Sequence, residues 1–107
     1  MANPSTEDSR FVRWIITYER THPELITREV VREKIQRLAK LEDEGKLELC
    51  GPFADGGGGI AILRDMNEDE ARAFAASDPF TRIGAATHTV RRLDLSCREN
   101  AHMGVLA

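Results

Sequence analysis

Three side chains in this sequence, Asp78, Lys34 and His88, are candidates for chemistry on a small molecule. A histidine titrates close to neutral pH, so His88 beside the Asp78 carboxylate would act as a general base. A lysine removed from water would act as a base itself or hold an anionic group of a substrate. His22, just before the first long helix, is a further acid–base candidate. These residue types predict either proton transfer or anion binding.

Each of these candidates also has a purely structural interpretation. Asp78 precedes Pro79, and an aspartate at such a position commonly accepts turn hydrogen bonds from nearby backbone. Lys34 belongs to a charged helix, where it would be solvated or would form a salt bridge with Asp78. His88 lies in the last predicted strand, and strand alternation leaves open whether it faces a pocket or solvent. His22 would be an exposed side chain in a capping turn.

The element that carries Lys34 is predicted to be a long helix. Thr21 and Glu24 form a capping-box pattern that predicts its start, and Gly45 predicts its end. The helical pattern is weak at residues 26–27, so the first turn is alternatively a separate short piece. Apolar side chains at helical spacing predict a buried stripe of Val31, Ile35, Leu38 and Leu41. The solvent-facing side is predicted to hold Arg28, Glu29, Arg32, Glu33, Arg37 and Lys40.

Strand patterns surround this helix. Residues 11–18 are rich in β-branched and aromatic side chains and predict a strand covered on both faces. Residues 46–50 alternate polar with apolar side chains and predict a half-buried strand with Leu47 and Leu49 inward. Residues 60–64 predict its hairpin partner, with a glycine-rich turn between the two. A phosphate-binding loop is not favoured there, because no Lys-Ser/Thr follows the glycines and the next element is a strand.

The second half of the chain repeats the helix–strand order. Asn67 and the acids after it predict a helix start, and Asp78-Pro79 ends the helix after about Ser77. A last strand is predicted over residues 85–95. The order β-α-β-β-α-β predicts an α+β, ferredoxin-like fold with an antiparallel sheet and both helices on one face. The open face then needs cover, and a second copy would make a homodimeric α+β barrel through that face.

Composition narrows the function classes. The chain has 107 residues and a formal net charge of −3, which disfavours nucleic acid as a partner. No apolar run approaches the ~20 residues of a membrane span, and the start lacks the pattern of a secretory signal. A cytoplasmic location with no membrane partner is therefore expected. Cys50 and Cys97 fit no metal-site spacing and are expected to be reduced thiols, so neither a cofactor nor a metal is predicted.

The domain boundaries follow from the same patterns. Residues 1–9 are polar and predict a flexible arm, and residues 10–95 predict the α+β domain. Residues 96–107 form a tail whose order the sequence does not define. His102 lies in this tail and has no predicted role.

An ordered set of short motifs resembles the YciI-like (YCII-related) proteins of bacteria. The set consists of a helix ending in glycine, a strand leading into Gly-Pro, a glycine-rich turn, a helix ending in Asp-Pro-aromatic, and a following glycine. In this sequence these motifs are Gly45, Gly51-Pro52, Asp55 to Gly59, Asp78-Pro79-Phe80 and Gly84. The similarity covers about Phe11 to Arg92.

The resemblance implies a dimeric α+β barrel with a pocket and a His–Asp pair. Asp78 matches the aspartate of that pair, whereas Lys34 stands where the family has its helix histidine, about three turns before Gly45. Relatives include a chlorohydroxyhydroquinone dehydrochlorinase and, more distantly, muconolactone isomerase. Two functions therefore stay open: a lyase or isomerase that moves protons on an aromatic-derived or lactone-like substrate, or a noncatalytic dimeric binder of a small anionic or aromatic ligand.

Overall fold

The computed structural model describes residues 9–106 and contains one four-stranded antiparallel sheet. The strands are β1 (Val12–Arg20), β2 (Leu47–Pro52), β3 (Gly58–Leu63) and β4 (Ala86–Asp94). Their order across the sheet is β2-β3-β1-β4, so β1 is central, as its β-branched and aromatic composition indicates. The predicted ferredoxin-like α+β fold is confirmed.

Two longer helices and one short helix lie between the strands. They are α1 (Arg28–Asp43), α2 (Glu68–Ala76) and α3 (Pro79–Arg82). Asn67 and Glu70 form a reciprocal capping box at the start of α2, as the sequence predicts. Gly45 adopts the left-handed conformation, with φ of 75°, directly after the end of α1.

The predicted start of α1 is wrong by about two turns. Thr27, and not Thr21, caps the helix: its side chain accepts a hydrogen bond from the Val30 backbone N–H. The segment before it contains a separate 3₁₀ turn, Pro23–Leu25. This is the alternative that the weak helical pattern at residues 26–27 leaves open. Thr21 instead donates through its hydroxyl to the Ala85 carbonyl, so it ties the end of β1 to the residue before β4.

The core lies between the sheet and the helices. Alternate β1 side chains, Trp14, Ile16 and Tyr18, face the helices and are buried. They pack with Leu63 of β3 and with Ala71 and Ala75 of α2. The small alanines let α2 lie close to the sheet, and this closeness sets the position of the turn that follows α2.

The predicted inward orientation of Leu49 is wrong. A register irregularity between Leu47 and Leu49 places them on opposite faces of the sheet. Leu47 pairs with Leu63 on the helix side and is buried, whereas Leu49 pairs with Ile62 on the open side and is half exposed. Strict alternation would keep both residues on one face, and the irregularity breaks that alternation.

The open face of the sheet carries side chains from every strand, among them Ile15, Ile62, Leu49 and Leu93. No helix of residues 9–106 covers it. Leu49 and Leu93 remain 50% and 41% exposed, so this face has apolar surface for a second copy to bury. The homodimer through this face stays a prediction.

The glycine-rich turn is shorter than predicted, because Gly58 and Gly59 belong to β3. Gly58 has a φ of 148°, and a Cβ built there would lie 1.9 Å from the Tyr18 carbonyl oxygen. Only glycine therefore permits the close approach of β3 to β1 at this point.

The ends of the described region contain short 3₁₀ turns. Arg98–Asn100 and Met103–Leu106 follow β4. The predicted N-terminal arm lies almost entirely outside the described residues. Across residues 9–106, no helix has both the length and the hydrophobicity required to cross a membrane.

Candidate functional site

Asp78 is a buried carboxylate at the turn between α2 and α3. It is only 2% exposed and caps α3: its Oδ2 accepts hydrogen bonds from the backbone N–H groups of Phe80 (3.0 Å) and Thr81 (3.3 Å). Pro79 at the first helical position fits this start, because it has no N–H to satisfy. The local Asp-Pro-aromatic sequence therefore fixes the orientation of the carboxylate, and the other oxygen, Oδ1, is free to receive a more distant donor.

That donor is Lys34 of α1. Its Nζ lies 2.6 Å from Asp78 Oδ1, and both side chains are largely removed from water. The ammonium also lies 3.9 Å from the centre of the Tyr18 ring and 4.9 Å from that of Phe80. Both distances are within the range of cation–π attraction. The Lys34 charge is thus held by one carboxylate and two aromatic faces, which is the salt-bridge alternative of the sequence analysis.

Two further side chains of α1 fix the turn that carries Asp78. Glu33 forms an ion pair with Arg82 of α3, and this hydrogen bond lowers the pKa of Glu33 and raises that of Arg82. Arg37 donates to the carbonyl oxygens of Phe74 and Ser77 at the end of α2. The prediction that Glu33 and Arg37 only face solvent is therefore incomplete, because both also hold α1 to the Asp78 turn.

The Tyr18 hydroxyl is the one buried side-chain polar atom of residues 9–106 without a hydrogen-bond partner. The hydroxyl lies beside the Asp78 carboxylate but does not form a hydrogen bond with it. Asp78 therefore affects the pKa of Tyr18 mainly through its negative charge. Burial, and then the negative charge of Asp78, raise the pKa of Tyr18 well above its ordinary value of 10.0. A neutral phenol group therefore lies beside the Lys34–Asp78 pair over the whole physiological range.

The raised pKa of Tyr18 predicts a loss of stability in alkali. Because the native pKa lies above the unfolded value of 10.0, the free energy of unfolding is retained below pH 10 and falls as the pH rises from there towards the native pKa. Tyr18 is the only tyrosine, so absorbance at 295 nm follows its ionisation directly. Denaturant unfolding at pH 9 to 11 is expected to show this fall in wild-type protein and a smaller fall in Tyr18→Phe. Equal slopes in the two proteins would contradict the assignment.

A cavity of about 480 Å³ opens beside the Lys34–Asp78 pair, between α1 and the helix-facing side of the sheet. Apolar side chains form most of its wall, and its size is that of a pocket for a small molecule. Tyr18 and Phe80 line it together with Val31, Ile35 and Leu38 of α1.

The cavity changes the interpretation of the α1 stripe. Leu41 is buried as predicted, whereas Val31 and Ile35 are 38% and 59% exposed because they face the cavity and not a filled core. The periodicity identified the correct face of the helix but not what lies against that face.

The histidines occupy different surroundings. His88 pairs with Tyr18 across β1 and β4 and so shares the helix-facing side of the sheet, where its Nδ1 lies 3.5 Å from the Thr81 hydroxyl. His22 is exposed and pairs with Glu24. His102 contacts the Ser96 hydroxyl in the tail. Neither His22 nor His88 contacts the Lys34–Asp78 pair. The catalytic roles of Asp78, Lys34 and His88 stay predictions.

The fold and the Asp-Pro-aromatic turn together define the class of protein. The family model for the YCII-related domain matches residues 10–94, and the chain belongs to that family. No curated protein is similar enough to count as a match.

A solved structure shares the fold. The chain is similar to 5-chloro-2-hydroxyhydroquinone dehydrochlorinase (TftG) from Burkholderia phenoliruptrix AC1100, in complex with 2,5-dihydroxybenzoquinone. The two are 23% identical, with a TM-score of 0.55, and the match covers 74% of this chain and 90% of TftG.

Sequence reasoning missed the contributions of Tyr18 and Phe80 to the site. In the sequence, Phe80 stands out only as part of the Asp-Pro-aromatic motif, and Tyr18 only as a residue of the predicted first strand. The signal for Tyr18 was its position in the strand alternation. It shares the inward face of β1 with Trp14 and Ile16, but it carries a hydroxyl that needs a hydrogen-bond partner. A tyrosine on the inward, apolar face of a strand was therefore the sequence feature that could have indicated this site.

Proposed function

We propose that this chain binds a small ring compound with an anionic oxygen in the cavity, and that Lys34 holds that oxygen. The observation that carries the proposal is the Lys34 ammonium, fixed by Asp78 at 2.6 Å beside a mostly apolar cavity. Apolar walls suit a ring, and a cation at their edge suits an acidic oxygen on it. Within residues 9–106, no Asp or Glu side chain lines the cavity, and the carboxylate next to Lys34, that of Asp78, is already hydrogen-bonded to the ammonium.

The role of Asp78 in this proposal is to position Lys34. Its Oδ1 accepts from Lys34 and its Oδ2 from two backbone N–H groups, so both oxygens are already engaged. Asp78 therefore orients the ammonium of Lys34. Lys34 has three N–H donors, and one of them is used by Asp78.

A second candidate function is proton transfer on the bound ring, as a lyase or isomerase. Its support is the unpartnered Tyr18 hydroxyl beside Asp78, which is a neutral hydrogen-bond donor in place for an oxygen of the ring. TftG, which shares the fold, is named as a dehydrochlorinase. In this case Tyr18 joins the predicted residues Asp78, Lys34 and His88. Release of chloride from 5-chloro-2-hydroxyhydroquinone, lost in Tyr18→Phe, is the result that would favour this function.

Calorimetric titration with benzoate and its neutral isostere benzamide tests the binding proposal. Saturable binding of benzoate, at least tenfold tighter than that of benzamide and lost in Lys34→Met, is expected, because the ammonium interacts with the charged carboxylate. Equal affinities for the two compounds, or no binding of benzoate by the wild-type protein, would contradict the proposal.

A charge placed on the wall of the cavity gives an independent prediction. Ile35 lines the cavity and is 59% exposed, so Ile35→Glu leaves the fold intact and puts a carboxylate near the bound anion. Repulsion of about 1 kcal/mol is expected to weaken benzoate binding about fivefold. The matched control is Ile35→Gln, which has the same shape without the charge. An equal loss in both variants would show that the anion does not lie near α1.

A further inference from the structure

Arg20, the last residue of β1, is a second cation at the cavity. It pairs with Ala86 of β4 and shares the face of β1 that carries Tyr18, so its side chain starts on the cavity side of the sheet. Lys34 is engaged with Asp78, whereas the Arg20 guanidinium makes no hydrogen bond or ion pair with any other residue from 9 to 106. An arginine that lines a ligand-sized cavity and has no protein partner has all its donors available to a ligand.

Both cations line the same cavity, but they come from different elements of the fold. Lys34 Nζ lies over the Tyr18 ring, and Arg20 is two residues further along the strand, a rise of about 7 Å. A planar ring that places one acidic oxygen at Lys34 therefore extends its far edge towards Arg20. The guanidinium fork matches a carboxylate in two parallel hydrogen bonds, a geometry that lysine cannot reproduce.

We propose that Arg20 determines specificity by binding a carboxylate on the far edge of the ligand. The ligand class is then a ring dianion, with one anionic group at Lys34 and a carboxylate at Arg20. This inference rests on the proposed binding function and deepens it. It also gives a reason for two cations on the wall of one cavity in a chain whose net charge is −3.

Terephthalate and benzoate, which differ only in the second carboxylate, test the inference by calorimetry. Wild-type protein is expected to bind terephthalate about tenfold more tightly than benzoate, and Arg20→Gln is expected to remove that preference. Arg20→Lys keeps the charge but not the fork, so it is expected to restore only part of the preference. Arg91→Gln is the matched control, because Arg91 pairs with Ile15 and lies on the opposite face of the sheet.

The outcomes separate the two proposals. Benzoate binding by the wild-type protein with no terephthalate preference, or a preference that survives in Arg20→Gln, would overturn the role of Arg20 alone. A loss of preference in Arg91→Gln as large as that in Arg20→Gln would overturn it as well. Failure of wild-type protein to bind either compound would overturn the proposed function and this inference together.

Discussion

Replacing Lys34 with methionine is expected to lower the free energy of unfolding by about 3 kcal/mol and to abolish anion binding. The substitution removes the one donor to Asp78 Oδ1 found among residues 9–106 and leaves a carboxylate that is 2% exposed without its cation. Breaking a buried pair in this way costs about 3–5 kcal/mol, and the lower end applies because the Phe80 and Thr81 N–H groups still hold Oδ2.

Urea unfolding of matched variants measures this effect. Lys40→Met changes the same residue type on the same helix at an exposed position and is expected to cost less than about 0.5 kcal/mol. Asp78→Asn is expected to cost less than Lys34→Met, because the asparagine oxygen still caps α3. A loss below about 1 kcal/mol in Lys34→Met would show that the pair does not hold α1 to the Asp78 turn.

The second large effect is expected from Gly58→Ala, at about 3 kcal/mol. The new Cβ would lie 1.9 Å from the Tyr18 carbonyl oxygen, and alanine rarely adopts a φ of 148°. Relief of this clash requires β3 to move away from β1 at Tyr18, so the cavity wall moves too. The variant is therefore expected to lose stability and benzoate binding together.

Gly57→Ala is the control for this prediction. Its Cβ would meet only the Asp55 side chain, at 3.1 Å, in an exposed turn. Thermal unfolding of the two variants is expected to separate them by more than 8 °C, given about 4–8 °C per kcal/mol for a domain of this size. Similar midpoints would mean that the approach of β3 to β1 does not depend on glycine.

The sequence was sufficient for the order of the strands and the two longer helices, but not for the short helix α3 or for all element boundaries. The strands and Gly45 carry local signals, so their approximate positions follow from composition and spacing, although β3 begins two residues earlier than predicted. The start of α1 does not, because Thr21 has a glutamate three residues later and Thr27 has only Val30. Thr21 uses its hydroxyl for Ala85, a contact across the fold that no local pattern shows.

The face of each side chain was harder to predict than its element. At β2 the register irregularity moves Leu49 to the open face, and a single extra residue of this kind leaves no mark in the alternation of five residues. On α1, Ile35 follows the apolar period yet faces a cavity. The apolar period shows which way a side chain points, whereas only the packed structure shows whether other side chains fill the space that it faces.

The sequence predicted the individual residues of the candidate site, but it left open how they contact one another. Asp78 was expected to accept turn hydrogen bonds, and it does. Its pairing with Lys34 joins residues 44 positions apart, and a salt bridge was one of the alternatives that the sequence left open. Glu33 and Arg37, on either side of Lys34, bind Arg82 and the Ser77 carbonyl. These contacts hold α1 to the Asp78 turn and so bring Lys34 and Asp78 together.

The lysine also changes what the site can do. A histidine at this position, as the family resemblance implies, would exchange protons with Asp78 near neutral pH. Lys34 presents a fixed cation between two aromatic rings instead. Lys34→His is therefore an informative variant, because it replaces the ammonium with an imidazole that can form an acid–base pair with Asp78 in the same place.

The proposed binding of an anionic ring compound by Lys34 beside Tyr18 is tested most directly by fluorine NMR. Tyr18 is the only tyrosine, so 3-fluorotyrosine gives a single resonance from the cavity wall. Trp14 is less suitable, because its indole N–H is bonded to Met66 away from the cavity. Titration with benzoate is expected to shift this resonance saturably in wild-type protein and not in Lys34→Met. An unchanged resonance in the wild type, or the same shift in both proteins, would contradict the account.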